Sequence, residues 1–353
     1  MAYTTINKST DYFNTLLHTG NDASPRSLTG VGFQPDFVWL KRRNSASSHT
    51  LYDAARTAGS TKGIASNSSA AEGLSATEGT TANYGYINSF DSDGFSVTTG
   101  ASNDNYVNNS GDTYVSWNWK MGTTSGISAG SQTITPSAYS INATAGMGIY
   151  KWSRTGASTT DYFSHGLGAT PTIAIQKRTD AVQDWYVNTT IIDGTNDNLH
   201  LNKTEAKEDD STTVPTSTNY YPKSPETGDY ITYLFAPIKG FSRFGSYTGN
   251  GNANGPFIFT GFKPAMVIYK KSSGTENWFI HDNKRQGYNP ENELLFPDLS
   301  NAEATDNRID LISNGFKVRS SDAGINDGSA TYIYMAFAEA PLVGSNNIPV
   351  IAR

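Results

Sequence analysis

Hydrophobic residues in this chain occur in short runs bounded by glycine, proline and polar residues, and they form no helical stripe. Three such runs each follow a Gly-x-x-Pro tetrapeptide and end before a lysine: Phe37-Val38-Trp39-Leu40, Ile173-Ala174-Ile175-Gln176 and Met266-Val267-Ile268-Tyr269. Short runs of β-branched and aromatic residues opened by Gly/Pro punctuation predict buried strands. A second aromatic or aliphatic run follows in each case, beginning near His49, Trp185 and Trp278, and predicts a second strand.

These runs belong to an internal repeat with constant spacing. Each copy has Thr-Gly, eleven further residues, Gly-x-x-Pro, and a lysine six residues after the proline: Thr19-Gly20 to Lys41, Thr155-Gly156 to Lys177, and Thr248-Gly249 to Lys270. A period of roughly a hundred residues is too long for a solenoid repeat and predicts whole domains in tandem. Each copy closes on a glycine turn and an aromatic strand: Tyr114–Trp119, Tyr230–Phe235 and Tyr332–Phe337.

The strand pattern predicts an all-β protein. In the first closing strand Val115, Trp117 and Trp119 alternate with polar residues, so we expect one packed face and one wetter face. Many short strands separated by Gly/Asn/Asp turns predict a β-sandwich or jelly roll. Helical patterns are weak, and we expect at most one helical turn near residues 53–58 or 301–312.

Composition predicts where the copies begin and end. We expect a first sandwich at 1–125, a Gly/Ser/Thr linker at 126–139, a divergent second sandwich at 140–240, a third at 241–345, and a tail at 346–353. The second copy lacks two motifs of the others, Asp-x-x-Arg and Gly-Phe-x-Val, so its role is less defined. Three sandwiches in tandem predict a stiff rod.

Composition and charge narrow the function classes. The chain of 353 residues has no cysteine, which excludes disulfides and thiolate chemistry, and its net charge of -6 argues against nucleic-acid binding. No apolar run approaches the roughly 18 residues of a membrane span, so no membrane insertion is expected. The start of the chain lacks a signal-peptide pattern, so synthesis in a host cytoplasm is expected. The five histidines are not closely paired, and we predict no metal or cofactor site.

Two kinds of residue are candidates for ligand or interface contacts. Asp53 with Arg56 and Asp282 with Arg285 form Asp-x-x-Arg pairs, which bind a ligand or, more often, hold a loop by a charge-assisted hydrogen bond. Five tyrosines could stack on sugar rings or lie at a core edge or subunit interface: Tyr84, Tyr86, Tyr106, Tyr220 and Tyr221.

Asp91-Ser92-Asp93-Gly94 resembles the start of a calcium-binding EF-hand loop. The twelfth position, where a bidentate acid is required, is Ser102. A turn before the following strand is therefore the main interpretation, with a weak calcium site as the alternative. We assign no catalytic residue to the chain.

The repeats resemble a module of virion proteins from tailed bacteriophages, notably those of cyanobacteria and other marine bacteria. The likeness lies in these segments: Met1–Ile6, Gln34–Lys41, Ser89–Phe95, Thr113–Lys120, Gly245–Gly251, Gly261–Ala265 and Thr331–Glu339. It covers most of the first and third copies, and the second departs from it. The resemblance implies a concanavalin-like or jelly-roll sandwich and supplies no catalytic site.

The resemblance and the composition together predict a non-enzymatic virion structural protein, associated with the tail as a fibre, tail tip or fibre adaptor. Its expected partners are other tail proteins, further copies of itself in a homo-trimer or hexameric ring, and a host-surface polysaccharide. One alternative is a capsid decoration protein. A surface-polysaccharide depolymerase is a second, and it requires two convergent carboxylates. A lectin without an assembly role is a third.

Overall fold

The computed structural model describes residues 3–75, 79–103, 105–127, 132–156, 160–223, 226–344, 346 and 348. In these residues the chain is almost entirely β, which confirms the predicted fold class. The described helices are a 3-10 turn at Ser9–Asp11 and two four-residue helices, α1 (Thr81–Tyr84) and α2 (Ala323–Asn326). The expectation of a helical turn near 301–312 was wrong, since residues 304–312 form a strand. Near 53–58, residues 54–56 form a turn that is not part of a helix. Parts of the predicted linker (128–131) and tail (347 and 349–353) lie outside the described residues.

The strands are numbered in chain order and are grouped by repeat. The first repeat contains β1 (Phe13–Thr19), β2 (Arg26–Thr29), β3 (Phe37–Arg42), β4 (Thr50–Asp53), β5 (Ile64–Ala65), β6 (Leu74–Ser75), β7 (Gly79–Thr80), β8 (Tyr86–Asp91), β9 (Gly94–Thr98) and β10 (Thr113–Trp119). The second contains β11 (Ala138–Asn142), β12 (Met147–Arg154), β13 (Phe163–Ser164), β14 (Ile173–Arg178), β15 (Tyr186–Thr189), β16 (Asp197–His200), β17 (Glu208–Asp209), β18 (Asn219–Tyr220) and β19 (Gly228–Phe235). The third contains β20 (Ser242–Thr248), β21 (Phe257–Phe259), β22 (Phe262–Lys271), β23 (Trp278–Asp282), β24 (Glu291–Leu294), β25 (Ala304–Ile312), β26 (Gly315–Val318) and β27 (Thr331–Pro341).

Each repeat has an inner sheet, and the three inner sheets share one strand order. The order is β1-β10-β3-β4 in the first repeat, β12-β19-β14-β15 in the second and β20-β27-β22-β23 in the third, with all neighbours antiparallel. The runs before the repeated lysines form β3, β14 and β22, and the runs that follow form β4, β15 and β23. Both sets of predicted strands are therefore confirmed.

An outer layer covers one face of each inner sheet. It is a sheet of order β2-β9-β8 in the first repeat and β21-β26-β25-β24 in the third, but only the pair β13-β18 in the second. The Gly-Phe-x-Val motif forms β9 and β26, which lie inside these outer sheets. Its absence from the second copy therefore coincides with a reduced outer layer. Each sandwich encloses a separate apolar cluster.

The other faces of the three inner sheets pack against one another in a single central core. Phe337 of the third repeat lies 5.3 Å from Phe13 and 5.6 Å from Trp119 of the first, and 5.9 Å from Phe235 of the second, between ring centroids. The expected rod was wrong, because the sandwiches surround a common core. The expected wet face of the closing strand was also wrong: Ser116 is fully buried, since both sides of its sheet are covered.

We predict that Phe337→Ala lowers the free energy of unfolding by about 3–5 kcal/mol, the usual cost of truncating a buried phenylalanine. Denaturant unfolding followed by tryptophan fluorescence measures this. Tyr288→Ala is the control, because Tyr288 is 69% exposed and its loss should cost less than about 0.5 kcal/mol. A cost below about 1 kcal/mol for Phe337→Ala would contradict a core shared by the three repeats.

Candidate functional site

Tryptophan side chains at equivalent positions connect one repeat to the next. Trp185 Nε1 of the second repeat donates to the Ala65 carbonyl of the first at 2.8 Å. Trp278 Nε1 of the third repeat donates to the His200 carbonyl of the second at 2.9 Å. Both indoles are buried, so each hydrogen bond satisfies a donor that would otherwise be costly to bury.

His49 occupies the equivalent position in the first repeat. Its Nδ1 accepts a hydrogen bond of 2.9 Å from Trp39 Nε1. Burial and the nearby Lys41 charge hold the pKa of His49 well below its usual range, although the backbone of Phe296 in the third repeat opposes this shift. The first repeat also contacts the third through Ser66 Oγ, which donates to the Pro297 carbonyl at 2.6 Å. The three contacts therefore run in one cyclic order: second to first, first to third, and third to second.

The Asp53–Arg56 pair is buried at the interface between the first and second repeats. Arg56 Nε donates to Asp53 Oδ2 at 2.7 Å, and the Tyr233 hydroxyl of the second repeat donates to the same oxygen at 2.7 Å. Burial alone would lower the pKa of Arg56, but the charges of Asp53 and its neighbours raise it above its usual value. Arg56 thus remains charged and holds the two repeats together.

Asp282 and Arg285 repeat this arrangement between the third and first repeats. Arg285 Nε donates to Asp282 Oδ2 at 2.6 Å, and Trp117 Nε1 of the first repeat donates to that oxygen at 3.0 Å. Arg285 also donates a hydrogen bond of 2.9 Å to the Glu303 carboxylate. The structure places both Asp-x-x-Arg pairs where a soluble ligand does not reach them, since all four residues are buried.

The interface between the second and third repeats has neither the aspartate acceptor nor the aromatic donor of the other two interfaces. Thr189 stands where the other repeats have the aspartate. The strand register places Met335 of the third repeat where the others have Trp117 or Tyr233. The acceptor and the donor are therefore missing together, and an apolar contact replaces them: Val187, Trp278 and Met335 line the same small closed gap.

A cluster of acidic residues surrounds the Arg285 pair. Arg43 of the first repeat binds Glu303 at 2.7 Å. Burial would raise the pKa of Glu303, but Arg43 and Arg285 lower it to about 2. A hydrogen bond with Glu303, reinforced by burial, raises the pKa of Glu293 to about 7. Burial, reinforced by the Asp282 charge, raises the pKa of Glu291 to about 7. Glu291 and Glu293 are therefore partly protonated near neutral pH, whereas Glu303 is ionised.

One group of three acidic side chains in the described residues has metal-ligand spacing: Asp193, Asp197 and Asp209. Lys207 Nζ lies among them, at 3.2 Å, 2.6 Å and 2.8 Å from their respective carboxylate oxygens. The hydrogen bonds to these carboxylates raise the pKa of Lys207 above its usual value. The lysine ammonium thus takes the position that a cation would occupy.

The turn that resembles an EF-hand start uses its carboxylates for local hydrogen bonds. Asp93 accepts from the Gly30 amide at 3.1 Å and the Gly32 amide at 2.6 Å. Asp91 accepts from the Ser89 hydroxyl at 2.8 Å and the Ser96 hydroxyl at 2.6 Å. These contacts join the turn to the outer sheet of the first repeat, as the main interpretation predicts.

Three of the candidate tyrosines lie in different environments. Tyr220 is buried in the outer core of the second repeat. Tyr221 is half-buried beside Tyr162, with ring centroids 5.5 Å apart. Tyr86 is half-buried against the outer core of the first repeat. These positions give the three tyrosines no common ligand surface.

Tyr84 and Tyr106 meet at an open cleft of about 300 Å³, which Ala46, Ser47 and Asn105 also line. The two tyrosine rings are 5.5 Å apart and tilted. Tyr106 is buried, and the half-buried Tyr84 supplies the more accessible aromatic surface. Ser47 Oγ is buried and has no hydrogen-bond partner among the described residues. An accessible aromatic surface beside the Asn105 amide suits a small polar ring such as a sugar.

Sequence reasoning missed Ser47 and Asn105. Neither residue lies in a motif, and they come from two different loops, one between β3 and β4 and one between β9 and β10. It also missed the structural role of the repeated lysines. Lys177 is fully buried, and its Nζ donates to the Arg178 carbonyl at 2.7 Å and to the Ser69 carbonyl of the first repeat at 3.2 Å. The constant spacing of these lysines was the available signal.

Comparison with known proteins identifies the family. A model of the domain of unknown function DUF7483 matches residues 8–341, so the chain belongs to this family. No curated protein and no solved structure matches the chain. None of the described helices has the length and apolar character needed to cross a membrane.

We predict that Arg285→Met lowers the free energy of unfolding by about 3–5 kcal/mol, because it leaves the buried Asp282 without a counter-charge and leaves Glu303 with Arg43 alone. Denaturant unfolding at neutral pH measures the effect. Arg319→Met is the control, since the Arg319 side chain is half exposed and pairs with Asp310 at 3.1 Å. Such exposed pairs contribute about 1 kcal/mol or less. Equal losses in the two variants would contradict the interface role of Arg285.

We predict that the stability of Glu291→Gln relative to wild type increases as pH rises from 5 to 8. The pKa of Glu291 is raised from 4.5 to about 7 in the folded chain. In this interval the unfolded chain binds fewer protons than the folded one, so the wild type loses stability with rising pH. Glutamine cannot ionise and removes this loss. Unfolding midpoints measured across the interval test the prediction, and a constant difference would contradict it.

Proposed function

We propose that this member of the DUF7483 family is a non-enzymatic structural protein of a tailed-bacteriophage particle, located on the tail and contacting a host-surface glycan. The resemblance of the first and third repeats to phage virion modules supports the location. The observation that carries the structural role is the burial of the Asp53–Arg56 and Asp282–Arg285 pairs between repeats. The most distinctive charged motifs are used to hold the three sandwiches together.

The clefts support a binding role rather than hydrolysis. Glycoside hydrolysis uses two carboxyl groups that flank the bond to be cleaved. The cleft beside Tyr84 has no carboxylate among its described lining residues, and a second cleft of about 300 Å³ contains Asp161 as its one described carboxylate, beside Arg154. Neither arrangement favours the depolymerase alternative. The lining of the Tyr84 cleft favours binding of a polar ring.

The shared core restricts which surfaces the proposed partners can contact. A homo-trimer of sandwiches would need each copy to cover the inner faces of the others. One chain already does this with its own three repeats, as the contacts of Phe337 with both other repeats illustrate. We therefore propose that its attachment to other tail proteins, and any ring of copies, uses outward-facing surfaces.

Immunogold labelling of phage particles that contain this protein tests the location. Antibody against residues 241–345 should label the tail end. Label distributed over the head would contradict the tail assignment and identify a decoration protein. Release of reducing ends from host polysaccharide by the purified protein would contradict the non-enzymatic assignment.

We predict that Tyr84→Ala weakens binding to purified host-surface polysaccharide at least tenfold, equivalent to about 1.4 kcal/mol. The physical reason is loss of the accessible ring at the cleft. Affinity electrophoresis measures the change, and circular dichroism verifies the fold. Tyr221→Ala is the matched control, since Tyr221 is half-buried but lies in the second repeat. Unchanged binding by Tyr84→Ala, or an equal loss in both variants, would contradict this cleft as the glycan site.

A further inference from the structure

The outer sheet of the third repeat presents two exposed phenylalanines. Phe257 is 45% exposed and Phe259 is 46% exposed, whereas Ile258 between them is buried. They lie on β21, the edge strand of its sheet. Because alternate side chains of a strand point to the same face, both rings point outward. Neighbouring exposed aromatic residues on an edge strand are a feature that proteins normally avoid unless a partner covers them.

The first repeat provides an internal comparison. Its edge strand β2 pairs with β9 as β21 pairs with β26, and Leu28 opposite Phe95 corresponds to Ile258 opposite Phe316. The positions of Phe257 and Phe259 are then those of Ser27 and Thr29. The fold therefore forms this edge strand with small polar residues. The phenylalanines are not needed for the sandwich itself.

Two cations border the two rings, and a third lies over the ring of the nearby Tyr3. The Arg243 guanidinium lies 5.8 Å from the Phe259 ring, and Lys317 is the cross-strand partner of Phe257. Lys239 lies 4.3 Å from the ring of Tyr3, whose hydroxyl donates to the nearby Gly261 carbonyl at 2.8 Å. None of these cations forms an ion pair with a described residue. Asp310, the cross-strand partner of Lys317 on β25, is itself paired with Arg319. On a chain with net charge -6, the three cations are therefore a local excess of positive charge.

We propose that β21 and its bordering cations form a docking surface for an extended acidic segment of another protein, in which apolar side chains alternate with carboxylates. Such a segment adds beside β21, packs its apolar side chains on Phe257 and Phe259, and pairs its carboxylates with Arg243 and Lys317. The inference does not depend on the phage assignment or on the Tyr84 cleft.

The positive charges and the free edge of β21 favour an acidic extended segment over two other occupants. A second copy related by a twofold axis would place like charges opposite one another, which disfavours association. A polysaccharide would leave the backbone groups at the free edge of β21 without the regular partners that a strand provides. The two phenylalanine rings carry no polar group, so they pack well against apolar side chains of the occupant.

Fluorescence anisotropy with a designed peptide tests the proposal on the full chain. The probe is a fluorescein-labelled twelve-residue peptide in which valine alternates with glutamate, and its counterpart carries lysine instead of glutamate. We expect the glutamate peptide to bind at least tenfold more tightly than the lysine peptide, and less tightly as salt increases. The double variant Phe257→Ser/Phe259→Thr should weaken binding at least tenfold, because it installs the residues of the first repeat. Arg243→Gln should weaken it severalfold.

The matched control is Ser27→Ala/Thr29→Ala on the equivalent strand, which should leave peptide affinity unchanged. Equal affinity for the two peptides, or full affinity in the double variant, would overturn the proposal. Sedimentation velocity and binding to sodium polygalacturonate separate the other occupants. Self-association that the double variant abolishes would assign the surface to a second copy. Polygalacturonate binding that it abolishes, without binding of the glutamate peptide, would assign the surface to an anionic polysaccharide.

Discussion

The structure depends on the apolar inner faces of three β-sheets, each of which packs against the other two repeats. A sheet with a large aromatic face is stable in water when that face is removed from solvent. Phe337, Trp119 and Phe235 come from three different repeats and meet in one cluster. The repeats therefore cannot separate without exposing this surface, and the sandwiches are arranged around a core instead of along a line.

Polar contacts give this apolar core its cyclic order. Apolar packing tolerates many orientations, whereas a buried donor needs a particular acceptor. Tyr233 meets Asp53, and Trp117 meets Asp282, across successive interfaces. At the third interface Thr189 replaces the aspartate and Met335 replaces the donor. Neither the acceptor nor the donor is therefore buried there without its partner. The loss of the aspartate in the second repeat is thus matched by the loss of the donor in the third repeat.

The shared scaffold leaves the outward residues free to differ between repeats. The first repeat has the Tyr84 cleft, and its edge strand carries Ser27 and Thr29. The third repeat has Phe257 and Phe259 at those edge positions. Three related sandwiches held in one unit thus place different surfaces around the same core. This arrangement agrees with the function proposed above, in which outward surfaces bind other molecules and the buried ionisable residues stabilise the fold.

The sequence by itself determined the strands and their repetition, because short aromatic runs, Gly/Pro punctuation and constant spacing are local properties of the chain. The missing Gly-Phe-x-Val motif likewise indicated that the second repeat departs from the others. Only the tertiary structure decided that both faces of the strand containing Ser116 are covered, and that Arg56 and Arg285 lie between repeats. It also decided which residues line the cleft with Tyr84. These features depend on contacts between segments far apart in the chain, and a local pattern contains no information on which distant face will cover it.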